Sequence, residues 1–349
     1  LKGAFDRLPV VDVAALFSTA AAERRSVGRE LDRAARTAGF LYVTGHGIAP
    51  ERFVQLQAAA AEFFAQPDDV KMRHYIGNSR NHRGYVPPGE EVFYGKSKDL
   101  KEAYDLALDL PPDDADYLAG NRLLGPNVWP PEVPSFQPQI SAYYDAALVF
   151  GRTLVRGFAL GLGLDERHFD ALVTKPPTQL RLVHYPPNLD VTSDSTGIGA
   201  HTDYECFTIL HTTAPGLEVL NARGEWIDAP PVAGALVVNI GDLFEALTNG
   251  AWPSTTHRVR KVTVERYSFP LFFNLDYATR ITALPGFLEV GQPPRYPELV
   301  AGEHLLAQTI QSFSYLQREL AAGKVALPER TLAPSSFGHA SVPRPVNTP

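Results

Sequence analysis

The chain has 349 residues, 44% hydrophobic and 10% aromatic, the composition of a packed globule rather than a disordered chain. Lys and Arg number 32 against 39 Asp and Glu, a net charge of −7, so the basic face needed for sequence-independent nucleic-acid binding is missing. The single cysteine, Cys206, excludes an intramolecular disulfide, a zinc ribbon and a cysteine-ligated iron–sulfur cluster, and leaves ten His and the carboxylates as metal ligands.

Taken in chain order, 8–12 reads as a short strand and 21–37 as a helix, with Val27, Leu31, Ala34 and Ala35 on one face. A strand over 39–44 ends at Gly45-His46-Gly47. A second helix over 52–64 aligns Phe53, Leu56, Ala60 and Phe64. Residues 80–98 are polar with Gly and Pro and read as a loop or irregular hairpin. Residues 134–164 read as one long helix. Its most apolar part, about 141–164, carries Asp145, Arg152 and Arg156 and is not a membrane span. No N-terminal segment has the layout of a signal peptide. The expectation is a cytoplasmic protein, monomeric or weakly homo-oligomeric, with neither membrane nor nucleic acid as partner.

From about 178 to 276 the period changes to two. Strands are expected at 179–185, 206–212, 217–220, 225–228, 235–240, 257–262 and 266–275, separated by turns such as Pro215-Gly216 and Gly241-Asp242. A final helix over 301–320 and a Pro-rich tail follow. The fold class is mainly β with flanking α: a two-sheet sandwich or barrel wrapped by N- and C-terminal helices. It divides into an N-terminal mixed α/β region (1–130), a long helix with the β core (131–280) and a C-terminal helix and tail (281–349). All three are read as one catalytic unit, 1–349.

Two His-x-Asp triplets occur. His168-Phe169-Asp170 sits in a charged, helix-like segment, where residues two apart diverge by about 200° and cannot share an ion. His201-Thr202-Asp203 precedes a strand, where extended geometry aims both side chains the same way. Two His and one carboxylate on one face leave three positions open, the arrangement of non-haem Fe(II) oxygenases. His257, which opens a strand 257 − 203 = 54 residues after Asp203, is the best third ligand. Nine residues on (266 − 257 = 9), Arg266 and Ser268 share a strand face and make a carboxylate clamp.

The sequence resembles the Fe(II)/2-oxoglutarate-dependent oxygenases of the isopenicillin N synthase-like family. The matches are Leu8-Pro9-Val10-Val11-Asp12, the 39–48 segment, Arg83-Gly84-Tyr85, Asp99-Leu100-Lys101-Glu102, His184-Tyr185-Pro186-Pro187, His201-Thr202-Asp203, Val238-Asn239-Ile240-Gly241-Asp242, His257-Arg258-Val259 and Arg266-Tyr267-Ser268. The resemblance implies a double-stranded β-helix (jelly roll) core and Fe(II) on His201, Asp203 and His257. It implies 2-oxoglutarate chelating the iron, with its far carboxylate on Arg266 and Ser268 and Tyr185 nearby. It further implies O₂ as the oxidant and the release of succinate and CO₂. Val183 stands where many relatives carry Asn, a departure at the cosubstrate contacts.

The reaction expected is oxidation of an unactivated C–H bond of a small molecule, by hydroxylation, desaturation or cyclisation. An amino acid, a peptide or another specialised metabolite is the expected substrate. The alternative within the family is an oxidase using O₂ without 2-oxoglutarate, which the Arg/Ser pair does not exclude; a non-catalytic cupin-like binding protein is the rival outside it. Candidate substrate contacts are Arg83, Tyr85, Tyr204 and Phe273, with the segment around Phe313 and Leu316. His184 and His211 are read as hydrogen-bonded core or rim residues, His46 as fixing a turn, and Cys206 as a small buried hydrophobe. Asn239 and Asp242 are expected to satisfy backbone groups at a turn before a helix over 243–248.

Overall fold

The structure is a computed structural model, and it describes residues 4–91, 101–187, 197–329, 331–332 and 337. Asp99, Leu100 and most of the Pro-rich tail lie outside the described residues. Twelve strands build two sheets: β1 (Val10–Asp12), β2 (Phe40–Thr44), β3 (Gly84–Val86), β4 (Glu102–Ala107), β5 (Gln179–Tyr185), β6 (Ile198–His201), β7 (Phe207–Thr212), β8 (Leu217–Leu220), β9 (Trp226–Asp228), β10 (Leu236–Ile240), β11 (His257–Val259) and β12 (Arg266–Phe273). The larger sheet has the order β1-β2-β10-β7-β12-β5-β4-β3 and the smaller β6-β11-β8-β9. Only β1 and β2 run parallel; every other neighbouring pair in the two sheets is antiparallel. These are the walls of the jelly roll, and the first strands of the chain extend its larger wall.

Alternation along the strands sorts the core from the cavity. On β5, Leu180 and Leu182 join the main apolar cluster, while Gln179, Arg181, Val183 and Tyr185 face inward. On β12, Tyr267, Phe269, Leu271 and Phe273 join that cluster, while Arg266, Ser268, Pro270 and Phe272 line the cavity. The long helix, Phe136–Gly161, lies across the back of the larger sheet. Phe158 meets Phe207 with ring centroids 5.1 Å apart, and a Cβ at Gly151 would stand 2.5 Å from the Phe273 ring. Burying each such aromatic side chain contributes roughly 1.5–3 kcal/mol. The helix Ala21–Ala38 packs on the long helix at Gly28, where a Cβ would meet Leu160 at 2.7 Å, and ends at Gly39 with φ +64.

Several local readings are corrected or completed. Of the loop or irregular hairpin expected over 80–98, the described residues include β3, which pairs antiparallel with the unexpected strand β4. β4 reads poorly because Glu102 and Asp105 interrupt its apolar pattern. Both are nonetheless buried, Asp105 bonded by Arg181 and Glu102 by Lys71, Tyr85 and His184. The segment around His168 is a run of turns with a 3-10 turn at Asp170–Leu172, not a helix, and Asp170 bonds Arg156. The single helix expected over 301–320 is two, Ala301–Ser312 and Ser314–Ala321, broken at Phe313 (φ −103, ψ 125). Glu90 causes that break from another part of the chain: its carbonyl accepts from Ser314 N–H at 2.9 Å and its carboxylate from Tyr315 N–H at 2.7 Å.

Among the described residues no helix is long and apolar enough to cross a membrane.

Candidate active site

The two histidines sit on the smaller sheet, opposite one another. His201 ends β6 and His257 opens β11, and the two are register partners. Directly opposed residues on one face hold their Cβ atoms about 5 Å apart, and here the ring centroids are 4.3 Å apart. Asp203 is not on a strand. It lies in the crossing from β6 to β7, where its carbonyl accepts from Asp242 N–H at 2.9 Å. Gly241 permits this crossing to sit so close: a Cβ there would be 2.3 Å from the Glu205 carbonyl oxygen.

The outward atoms of all three side chains are tied back. His201 Nδ1 is 2.8 Å from the Gly199 carbonyl and His257 Nδ1 is 3.2 Å from that of Thr255. Asp203 Oδ2 accepts from Thr208 Oγ1 and from Asn239 Nδ2. What remains converges: His201 Nε2 is 3.7 Å and His257 Nε2 is 3.5 Å from Asp203 Oδ1. Such outer partners fix ring tautomers and orient metal ligands. Burial and then the neighbouring His257 lower His201 to about 3, so its imidazole is neutral and able to ligate at pH 7. Burial alone would raise Asp203, but His257, His201, Asn239 and Thr208 outweigh it and hold the carboxyl below its usual range. Two imidazoles and one carboxylate, with ligand atoms within 4.8 Å of one another, suit Fe(II) with open positions.

The triad opens on a cavity between the sheets. At one end stands Arg266, 0% exposed and register partner of Tyr185, its guanidinium 4.7 Å from that ring centroid. Its Nε donates to the Ala214 carbonyl at 3.1 Å, while both terminal nitrogens are buried with no hydrogen-bond partner among the described residues. An orphaned buried guanidinium is costly, and a carboxylate would relieve it bidentately. Ser268 and Tyr185 line the same end. Val183 lies opposite Ser268 and has no polar atom to offer.

Of the expected substrate contacts, only Tyr204 and Phe313 line the cavity. Arg83 is buried, and its guanidinium donates to the carbonyls of Asn81, His82 and Leu123 at 2.8, 3.0 and 2.6 Å. Tyr85 turns away and donates to Glu102. Phe273 faces the long helix and stacks on Phe207 at 4.6 Å. Leu316 packs in a separate apolar cluster with Phe313.

Asn239 serves Asp203 rather than a turn, and Asp242 bonds Ser254 Oγ and His304 Nε2 instead of capping its helix. His184 sits outside the cavity between Glu102 and Glu265, and His211 packs on Phe53 and Phe269. His46 Nδ1 accepts from Ile48 N–H, closing its turn. Burial drives the Cys206 thiol well up, leaving it inert.

Sequence reasoning missed the polar lining beyond the triad: His82, Glu91, Lys101, Arg181 and Glu205. Burial and then Asp203 push Glu205 up to about 8. The one legible signal was alternation on β5, which puts Arg181 on the face of Tyr185.

Residues 8–132 match the family described as non-haem dioxygenase in morphine synthesis N-terminal, and residues 176–275 match the 2OG-Fe(II) oxygenase superfamily. The chain is 33% identical over 316 residues to the 2-oxoglutarate-Fe(II) type oxidoreductase hxnY of Emericella nidulans, covering 87% of this chain and 90% of that one. It is 33% identical over 291 residues to the homoarginine-6-hydroxylase 2-ODD-233 of Oryza sativa subsp. japonica, covering 81% and 88%. It superposes on a full-length Neurospora crassa protein crystallised in complex with alpha-KG (2-oxoglutarate) with a TM-score of 0.74 at 27% identity, covering 86% and 95%.

Fold and site together define a non-haem iron enzyme built on a jelly roll. The chain belongs to the 2OG-Fe(II) oxygenase superfamily, in its isopenicillin N synthase-like group, and is an Fe(II)- and 2-oxoglutarate-dependent dioxygenase. The oxidase reading without 2-oxoglutarate is not favoured, since these relatives carry 2-oxoglutarate in their names or their crystals.

Proposed function

We propose that His201, Asp203 and His257 hold the Fe(II) as a facial triad, and that 2-oxoglutarate lies between it and Arg266. Its far carboxylate rests on Arg266 and Ser268 with Tyr185 alongside. The observation that carries this reading is the pairing of a converged, tied-back triad with an orphaned buried guanidinium in one cavity. When bound, iron and cosubstrate supply an oxidation by O₂ that attacks an unactivated C–H bond and releases succinate and CO₂.

The chain's own residues position and exclude. Asn239 and Thr208 keep one Asp203 oxygen occupied so that the other faces the histidines. Arg266 fixes the cosubstrate's direction, and a bidentate guanidinium does so with less freedom than an ammonium. Phe313, Leu305 and Thr309 from the C-terminal helices cover the cavity, which keeps water from the reacting centre. Tyr204 touches the substrate, a small organic molecule. The similarity to a homoarginine-6-hydroxylase supports an amino acid among the candidates. The test is succinate formation by anaerobically Fe(II)-loaded protein on adding O₂ and candidate substrates, with and without 2-oxoglutarate. Product formed equally without 2-oxoglutarate would overturn the reading.

A further inference from the structure

Two sets of cations line this cavity and are treated oppositely. Arg266 keeps its terminal nitrogens without hydrogen-bond partners among the described residues. Arg181 is neutralised twice: Nε and one terminal nitrogen bond the Asp105 carboxylate at 2.7 and 2.8 Å, and the other terminal nitrogen reaches both Glu91 oxygens at 2.8 and 2.9 Å. Lys101 Nζ also donates to Glu91. Among the described residues the bank therefore holds two positive and two negative charges, all at most 7% exposed. Arg181 and Lys101 hold Glu91 at about 2 despite its burial, so it stays ionised.

The bank lies away from the cosubstrate's anchor. Arg181 is four residues from Tyr185 on one strand, about 13 Å at the usual rise, and Tyr185 is the register partner of Arg266. At the other end of the same strand Gln179 is level with Phe272, which is level with Thr208, the residue that bonds Asp203. Arg181 thus stands near the level of the iron ligands, and the Lys101 charge is felt at His201.

Next to the bank, His82 lines the cavity at φ +61, a conformation costly for a non-glycine residue. Arg83 stabilises it by bonding the carbonyls of Asn81 and His82. A buried ion-pair cluster contributes little stability over an apolar one of the same shape, so its place in the cavity wall calls for another reason.

We propose that Glu91, with Arg181 and Lys101, is the specificity wall of the substrate site, and that it selects a substrate without net negative charge, either an uncharged polar molecule or a zwitterion. Among the described residues an incoming carboxylate finds no unneutralised cation there, and it meets Glu91. A molecule bearing both donors and acceptors finds partners for each. The same wall steers 2-oxoglutarate, a dianion, to Arg266 and keeps a second copy out of the substrate space. This rests on the placement of 2-oxoglutarate at Arg266 proposed above.

The test is calorimetric titration of the Mn(II)-loaded protein with 2-oxoglutarate. Wild type is expected to bind one equivalent. Glu91→Gln keeps the shape but removes one negative charge, and is expected to gain a second, weaker site and inhibition at high 2-oxoglutarate. The double variant E91Q/K101M restores balance and should return to one site. One site in folded E91Q, or a second site in wild type, overturns the proposal, and the wild-type count stands even where E91Q fails to fold. A carboxylic acid without a balancing cation that triggers 2-oxoglutarate consumption overturns it as well. Loss of the first site in wild type would instead break the reading of Arg266, so the two failures are distinguishable.

Discussion

The two walls of the jelly roll divide the work. The smaller sheet supplies both histidines from short strands, and carbonyls in or just before those strands orient the rings. The larger sheet supplies no proposed ligand. It contributes the groups around the metal site: Asn239 and Thr208 behind Asp203, Arg266 and Ser268 at the far end, and the charged bank at Arg181. In the proposed assignment, metal binding is a property of one register pair and one crossing loop, whereas cosubstrate and substrate recognition are spread along strands that also carry the core on their other face.

That division is broken most directly by removing a ligand. Asp203→Ala or His201→Ala should abolish iron binding and turnover, read by metal content and succinate formation, while the fold remains. On the larger sheet the effect should be graded. Arg266→Ala removes charge-assisted bonds worth about 3 kcal/mol, so the 2-oxoglutarate KM should rise roughly 100-fold with metal binding intact; wild-type behaviour at low 2-oxoglutarate would refute the clamp. Asn239→Ala leaves every ligand in place but loosens Asp203, and should weaken metal affinity on the order of 10-fold, seen by competition with a chelator.

The smallest catalytic effect is expected on the sheet's outer face. Burial holds His211 at about 4 there. Because the folded state binds fewer protons than the unfolded chain between that value and about 6.5, stability falls as pH drops through this window, by at most about 3 kcal/mol. His211→Phe should flatten the acid side of a Tm-against-pH curve without changing turnover at pH 7.

Much of this was legible in the sequence where one chain segment carries its own signal. Alternation located β5, β7, β8, β10 and β12 within a residue or two at most of their ends, and His-x-Asp before a strand located two of the three triad residues. What was illegible depends on partners far along the chain. β6, with Gly199 and Ala200 before His201, has too few large side chains to alternate. β4 hides because its charges are satisfied from elsewhere, and the break at Phe313 exists because Glu90 bonds the two residues after it. Arg83 beside a strand resembles a substrate cation until Leu123, 40 residues on, is seen to supply its carbonyl.

Binding of one Fe(II) by His201, Asp203 and His257, with 2-oxoglutarate reaching back to Arg266, is tested by anaerobic titration of Fe(II)-loaded protein with 2-oxoglutarate, following the visible absorption that arises when the keto acid chelates iron. The band should saturate at one equivalent, be absent in Asp203→Ala and shift to roughly 100-fold higher 2-oxoglutarate in Arg266→Ala. A band that survives unchanged in Asp203→Ala, or no band in wild type, would contradict the account.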